Sequence, residues 1–159
     1  MISRAATPND AEALARIYNE GIDDRIATFE TRSRTADDVR AWIGGAHPVV
    51  AVEDEGRVVA WASSFAYSDR VCYSGVAEVS VYVARDARGR GAGRRALAEL
   101  VRAATAAGFH KLVGKIFAEN DASLALVRAL GFRDVGVHLR HGQLDGAWHD
   151  VVVVERLLP

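Results

Sequence analysis

Four arginines and three glycines crowd into the eight residues Arg88-Gly89-Arg90-Gly91-Ala92-Gly93-Arg94-Arg95. Glycine lets a backbone approach a ligand closely and take positive φ values that other residues resist. At a helix start, free N–H groups and the positive end of the helix dipole form a site for phosphate. The arginines would add charge at the same place. Two common phosphate loops fit less well. A P-loop requires a lysine and a serine or threonine after its last glycine, and a dinucleotide fingerprint requires a third glycine where Arg94 stands. The bland alternative is a glycine-rich turn with solvated arginines.

Just before this loop runs Glu78-Val79-Ser80-Val81-Tyr82-Val83. In a strand the valines take one face, and Glu78, Ser80 and Tyr82 share the other. Glutamate is depleted in strands and rarely buried without a partner. Glu78 is therefore either a functional carboxylate or a strand-end glutamate paired with a surface arginine.

The elements that must position these residues follow from periodicity. Thr7 can cap a first helix, with Pro8 at its first position and Asp10 three residues after the cap. Ala11, Leu14, Ile17 and Tyr18 then recur at helical spacing until Gly21. A second helix starts at Thr35, with Val39, Trp42 and Ile43 as its buried face and Gly44-Gly45 as its stop. Residues 49–53 and 58–64 predict a hairpin around Asp54-Glu55-Gly56, and residues 76–83 a third strand. A helix after the glycine-arginine loop presents Leu97, Leu100, Val101 and Ala104 on one face and closes at Gly108. A strand over 111–117, a short helix over 121–130 stopped by Gly131, and strands near 134–139 and 148–155 complete the chain. With a strand at the N-terminus, the order is β-α-α-β-β-β-α-β-α-β-β. This is an α/β chain with a mixed sheet and helices on both faces.

The 159 residues fit one domain, 1–159, without repeats or a linker rich in proline or serine. Half of the chain is apolar, about a quarter is charged, and the formal net charge is -1. That balance argues against nucleic acid as a partner. Cys72 stands alone, so neither an internal disulfide nor a cysteine metal site is expected. The N-terminus lacks the pattern of a signal peptide, and no apolar run approaches the ~20 residues that span a membrane. A cytoplasmic location is the expectation.

The spacing Arg88-x-x-Gly91-x-Gly93 resembles the Arg/Gln-x-x-Gly-x-Gly/Ala motif of the GNAT N-acetyltransferase family. The order of elements agrees with that family over almost the whole chain. Asn120 followed by Leu130-Gly131-Phe132 looks like its penultimate helix and turn. The resemblance implies the GNAT acyl-CoA acyltransferase fold, with acetyl-CoA as cosubstrate and no metal. It places main-chain groups of Val81, Tyr82 and Val83 against the pantetheine arm. Arg88, Gly89, Arg90, Gly91, Ala92, Gly93 and Arg94 would surround the pyrophosphate, and Asn120 would contact the cofactor from the neighbouring strand end. Ser123 is a further cofactor residue, although a serine in a helix's first turn is often a local cap.

Acetylating an amine requires its neutral form, whereas a free amino group is largely protonated near neutral pH. A positioned carboxylate serves as base, and beside a cofactor strand Glu78 takes that role. Many members of the family place a tyrosine in the helix after the asparagine, to protonate the departing thiolate. Val127 stands there, which leaves a general acid unassigned between Tyr82 and water. Direct attack of the amine on the thioester makes Cys72 dispensable.

Within the family, Thr28-Phe29-Glu30-Thr31, residues 67–73, residues 78–83 and Gly146-Ala147-Trp148-His149-Asp150-Val151 resemble the phosphinothricin and arsinothricin N-acetyltransferases. That likeness implies a small amino acid bearing an oxyanion, and a homodimer. Cations and hydroxyl donors suit such a substrate. Arg70 and Tyr73 match the subgroup's substrate positions, and Thr28, Phe29 and Arg32 come from the loop between the first two helices. Arg34 is a weaker candidate, and any one of these arginines taken singly also reads as a solvated charge. His138, His141 and His149, at spacings of three and eight, match no standard metal site. Trp42, Trp61 and Trp148 are expected in the core. Two rival functions stand beside this one: a peptide or protein N-acetyltransferase with a wider groove, and a non-catalytic acetyl-CoA-binding module.

Overall fold

A computed structural model describes residues 1–159. Its elements are β1 (Ile2–Ala5), α1 (Ala11–Asp24), α2 (Ala36–Arg40), β2 (Val49–Asp54), β3 (Arg57–Ala66), β4 (Val76–Val83), α3 (Ala92–Ala106), β5 (Lys111–Phe117), α4 (Asp121–Ala129), β6 (Arg133–Leu144) and β7 (Ala147–Leu157). One seven-stranded sheet has the order β1-β2-β3-β4-β5-β7-β6. Every neighbouring pair is antiparallel except β4 and β5, which are parallel. The element order and the mixed sheet are those expected from the sequence. No helix is long and apolar enough to cross a membrane.

The alternation in β4 sorts the helices onto two faces. A Cβ at Gly93 of α3 would meet Val83 and Val81, whereas one at Gly21 of α1 would meet Tyr82. Thus α3 covers the valine face and α1 the face of Glu78, Ser80 and Tyr82. The core between sheet and helices is built from Leu14, Ile17 and Ile22 of α1, Leu97 and Leu100 of α3, and Trp61 and Val59 of β3, all fully buried.

Four expectations need correction. Helix α1 runs past Gly21 to Asp24 and ends at Arg25 with φ 56°. Gly21 is a contact rather than a stop, because a Cβ there would lie 3.0 Å from the Tyr82 ring. The second helix is only Ala36–Arg40. Trp42 and Ile43 follow in a turn, although Thr35 and Asp38 form the capping exchange at its start. Of the tryptophans only Trp61 is core; Trp42 is 38% exposed and Trp148 56% exposed. Finally, β6 and β7 are longer than expected and are joined through Asp145 and Gly146, both at positive φ. Strand β6 is a solvent-facing edge with two irregularities in its register, so no clean alternation marks it in the sequence.

Pro8–Asp10 forms a 3-10 turn that leads into α1. Asp10, buried, accepts from Thr7 N at 2.7 Å and from Arg4 Nη1 at 2.8 Å, while Arg4 also donates to Glu53. This network ties β1, β2 and the start of α1 together. The Arg4 guanidinium holds the Asp10 carboxyl below its usual range against the opposing effect of burial. A depressed carboxylate stabilises the fold above its unfolded pKa of about 3.9 and loses that contribution as pH falls through the folded value. Arg4 keeps 34% of its side chain in solvent, which screens the pair. Asp10→Asn is expected to cost about 1–2 kcal/mol at pH 7 in urea unfolding, with the gap to the wild type closing as pH falls below the unfolded pKa. A gap independent of pH would remove the ion pair as its cause.

Candidate active site

The parallel ladder between β4 and β5 is short. It holds at Val76↔Lys111, Ala77↔Leu112 and Glu78↔Val113 and then ends. On its other side β4 pairs with β3 without a break as far as Ala60↔Val83. Meanwhile β5 pairs with β7 along its whole length, from Lys111↔Leu157 to Phe117↔Val151. Beyond Glu78, therefore, β4 has one bonded edge and one free edge. Ala84 N donates to Val59 O at 2.8 Å, so the amides of Tyr82 and Ser80 also face β3 by alternation. The N–H and C=O groups of Val81, the C=O of Val79 and the N–H of Val83 then face the gap; the Val79 N–H closes the last rung of the β5 ladder, and the Val83 C=O is met by Arg88. Unpaired strand groups call for a partner, and an extended chain with amides of its own supplies one. Gly114, Ile116, Asn120, Ser123, Leu126 and Val127 form the far wall.

The glycine-arginine loop sits at the end of this gap. Gly89 and Gly91 have φ of 74° and 88°, and Gly91 is the N-cap of α3. Gly93 serves close approach instead: a Cβ there would lie 3.2 Å from Val83 and 3.4 Å from Leu126. Ala92 is buried, whereas Arg88, Arg90, Arg94 and Arg95 reach solvent. Arg88 Nε donates to Val83 O at 3.2 Å, and its guanidinium pairs with Asp24 at 2.6 Å. Arg85 pairs with the same carboxylate at 2.7 Å. Burial opposes it, yet these two arginines hold Asp24 below its usual range. Arg90 lies 3.3 Å from Asp54.

Asn120 is buried on the opposite wall of the gap. Its side chain accepts from Ser123 N at 3.2 Å as the cap of α4 and donates to Ile26 O at 3.3 Å. Val127 is buried against the gap, so no phenol occupies that position.

A larger cavity of about 790 Å³ opens on the Glu78 face of the sheet, walled by Tyr18, Trp42 and Trp61 among others. It shares Ala27, Ser80, Tyr82 and Lys115 with the gap, so the two spaces meet at these residues. Glu78 borders the meeting point, with Oε1 3.0 Å from Lys115 Nζ and its side chain only 18% exposed. Burial, with the Tyr18 phenol close by, pushes the Tyr82 hydroxyl well above the usual tyrosine range. Tyr82 stays protonated at working pH and can donate a hydrogen bond.

Thr28 and Phe29 line the cavity. Arg32 does not; it is exposed and 3.5 Å from Asp38. Arg34 lines the cavity instead, largely buried and paired with Glu30 at 2.8 Å. Arg70 and Tyr73 lie outside, at the rim. The Arg70 guanidinium sits over the Tyr73 ring at 5.5 Å, Tyr73 meets Tyr67 edge-on at 5.6 Å, and Lys115 Nζ is 6.0 Å from the Tyr67 ring. His138 stacks on His141, a cavity residue, and His149 pairs with Glu119 while stacking on Phe117.

The sequence does not single out Lys115, and it raises His141 only in the histidine group that matches no metal site. Alternation in β5 puts Lys115 on the face of Phe117, but its place beside Glu78 depends on the β4–β5 register, which leaves no sequence signal.

Residues 14–132 match the acetyltransferase (GNAT) family. The chain is 32% identical over 163 residues to the phosphinothricin N-acetyltransferase of Streptomyces coelicolor, covering 98% of this chain and 95% of that relative. Two crystal structures are similar throughout. The ribosomal-protein-alanine N-acetyltransferase of Brucella melitensis has a TM-score of 0.95 at 34% identity, covering 99% of this chain and 100% of the other. The phosphinothricin acetyltransferase of Sinorhizobium meliloti in complex with acetyl-CoA has a TM-score of 0.92 at 32% identity, covering 99% and 88%. A free strand edge that leads to a helix N-terminus with two positive-φ glycines fits an acyl-CoA, which brings its acyl group as a thioester. The chain belongs to the GNAT family, and it is an N-acetyltransferase that uses acetyl-CoA.

Gly91→Ala forces a side chain into φ 88° at the head of α3, which costs about 1–2 kcal/mol. Acetyl-CoA affinity by calorimetry is expected to fall about 5- to 30-fold. Gly108→Ala, with φ 89° at the far end of the same helix, is the control. An equal loss in both variants would assign the effect to general destabilisation.

Proposed function

We propose that the protein acetylates the amino group of a small amino acid carrying an oxyanion, such as phosphinothricin or arsinothricin. One observation carries this reading. The substrate-sized cavity opens into the cofactor gap at Ser80, Tyr82 and Lys115, with the Glu78 carboxylate beside the opening. The full-length similarity to a phosphinothricin N-acetyltransferase supports the substrate class.

In this reading the gap-facing groups of the β4 segment Val81, Tyr82 and Val83 hold the pantetheine arm. Arg88 to Arg94 surround the pyrophosphate, and Asn120 and Ser123 close the far side. The amino acid lies in the cavity under Thr28 and Phe29. Arg70, Tyr73 and Arg32 serve it from the rim, with Arg34 from within. Glu78 accepts a proton from the ammonium, the neutral nitrogen attacks the thioester carbonyl, a C–N bond forms and the C–S bond breaks. Of the two protons that nitrogen loses, one ends on the CoA sulfur and one in solvent. Tyr82 donates but does not act as base, because its hydroxyl stays protonated.

The same proposal includes a single domain over 1–159, a cytoplasmic location and a homodimer. The dimer is supported by exposed Val135, Val137, Leu139 and Trp148 along the β6–β7 hairpin.

The test is a panel of phosphinothricin, arsinothricin, methionine sulfoximine and a peptide bearing an N-terminal alanine, read by CoA release. Amino acids are expected to exceed the peptide in kcat/KM by about 100-fold, through charge-assisted contacts that the peptide cannot reproduce. Acetylation of the peptide alone would favour the second reading, which the likeness to a ribosomal-protein-alanine N-acetyltransferase supports. Glu78→Gln is expected to lower kcat about 100-fold near neutral pH and to regain rate at high pH, where the amine deprotonates unaided. An unchanged profile would remove Glu78 as base.

A further inference from the structure

We infer that the Glu78–Lys115 ion pair is the receptor for the zwitterionic head of the substrate, with the ammonium on Glu78 and the α-carboxylate on Lys115. Lys115 then determines the preference for free α-amino acids. The inference rests on the amino-acid reading above and assigns that reading's carboxylate a partner.

The argument begins with dimensions. The amine nitrogen and carboxylate oxygens of an α-amino acid lie about 3 Å apart, from the bond lengths at Cα. Glu78 Oε1 and Lys115 Nζ are separated by 3.0 Å. A zwitterion laid antiparallel across this pair gives each of four charges an opposite neighbour. The zwitterionic head adds no net charge beside the pair, so neither of its charges is left unpaired in a partly enclosed space.

Position favours Lys115 over the other cations. Arg34 is committed to Glu30 and held at 13% exposure. Arg32 and Arg70 do not line the cavity. Lys115 borders both the cavity and the cofactor gap, and 44% of its side chain is exposed, so it can follow a ligand. A lysine is a point charge on a flexible stem, which suits a carboxylate of unconstrained orientation. Its faces are defined by Glu78 from β4 and the Tyr67 ring, while Tyr18, Tyr82, Glu30, Arg34, His47 and His141 are the other ionisable groups that line the cavity.

The arrangement also keeps charge balanced during the reaction. When Glu78 takes a proton from the ammonium it loses its charge, and Lys115 retains the substrate carboxylate as partner. A peptide amine has no carboxylate beside it and would leave Lys115 on Glu78, competing for the base.

Phosphinothricin and its α-carboxamide, assayed with wild type, Lys115→Met and Lys115→Arg, test this directly. Wild type should favour the acid over the amide by about 10- to 100-fold in kcat/KM, the range of a charge-assisted contact. In Lys115→Met that preference should collapse at least tenfold, with the loss in KM for the acid and in its quenching of Trp42 and Trp61 fluorescence. Lys115→Arg should recover part of it. A thermal unfolding midpoint near that of the wild type reports that the variant is folded. If Lys115 only positions Glu78, acid and amide will lose rate equally and the preference will persist, which overturns the inference. Should wild type acetylate neither compound and only a peptide, the amino-acid reading itself fails and this assignment falls with it.

Discussion

Strand β4 loses its parallel neighbour after Glu78, and the rest of the site depends on that divergence. Strand β5 cannot follow β4, because all seven of its residues are registered against β7. Gly114 shows how tightly that commitment is made: a Cβ there would lie 3.0 Å from Val154. Strand β4 is held equally firmly by β3. Two rigid ladders thus pull apart from one point, and the free edge of β4 lies between them. Glu78 is the last residue of β4 paired with β5. The divergence therefore places the carboxylate at the head of the slot without any further device.

The two walls of the slot are tied to a common segment, the end of α1. Asp24 bridges Arg88 of the glycine-arginine loop and Arg85 in the turn just before it, and Glu20 accepts from Arg85 N at 2.6 Å. Asn120, from the opposite wall, donates to Ile26 O. Residues 24–26 then lead directly into Thr28 and Phe29 over the cavity. Contacts at the cofactor end and the position of the substrate loop are consequently set by the same few hydrogen bonds. The capping of α4 by Asn120 belongs to this frame, since one side chain both starts the helix and holds the loop.

Much of this was legible in the residues. The alternation of Glu78 to Val83, the glycines at the head of α3 and the capping residues Thr7 and Thr35 act locally, and local rules describe them. The misses share a different origin. Gly21 reads as a helix stop, but its lack of a Cβ answers to Tyr82, 61 residues away in the chain. Trp42 and Trp148 read as core by composition, yet one faces a cavity and the other an edge strand. Lys115 looks like a solvated charge until the three-residue ladder sets it beside Glu78. Arg32 and Arg34 are two residues apart and look alike in sequence. Only the Glu30 pairing and the turn of the loop decide which of them lines the cavity.

The central claim is that the free edge of β4 is the cofactor's docking strand, and amide hydrogen exchange measures it most directly. In the free protein the amides of Val81 and Val83 should exchange much faster than those of Ser80 and Tyr82, which face β3. Saturating acetyl-CoA should slow Val81 and Val83 by at least about 100-fold, as their unpaired N–H groups gain partners. If these two amides were already protected without ligand, or if acetyl-CoA protected other strands and left them unchanged, the account would be contradicted.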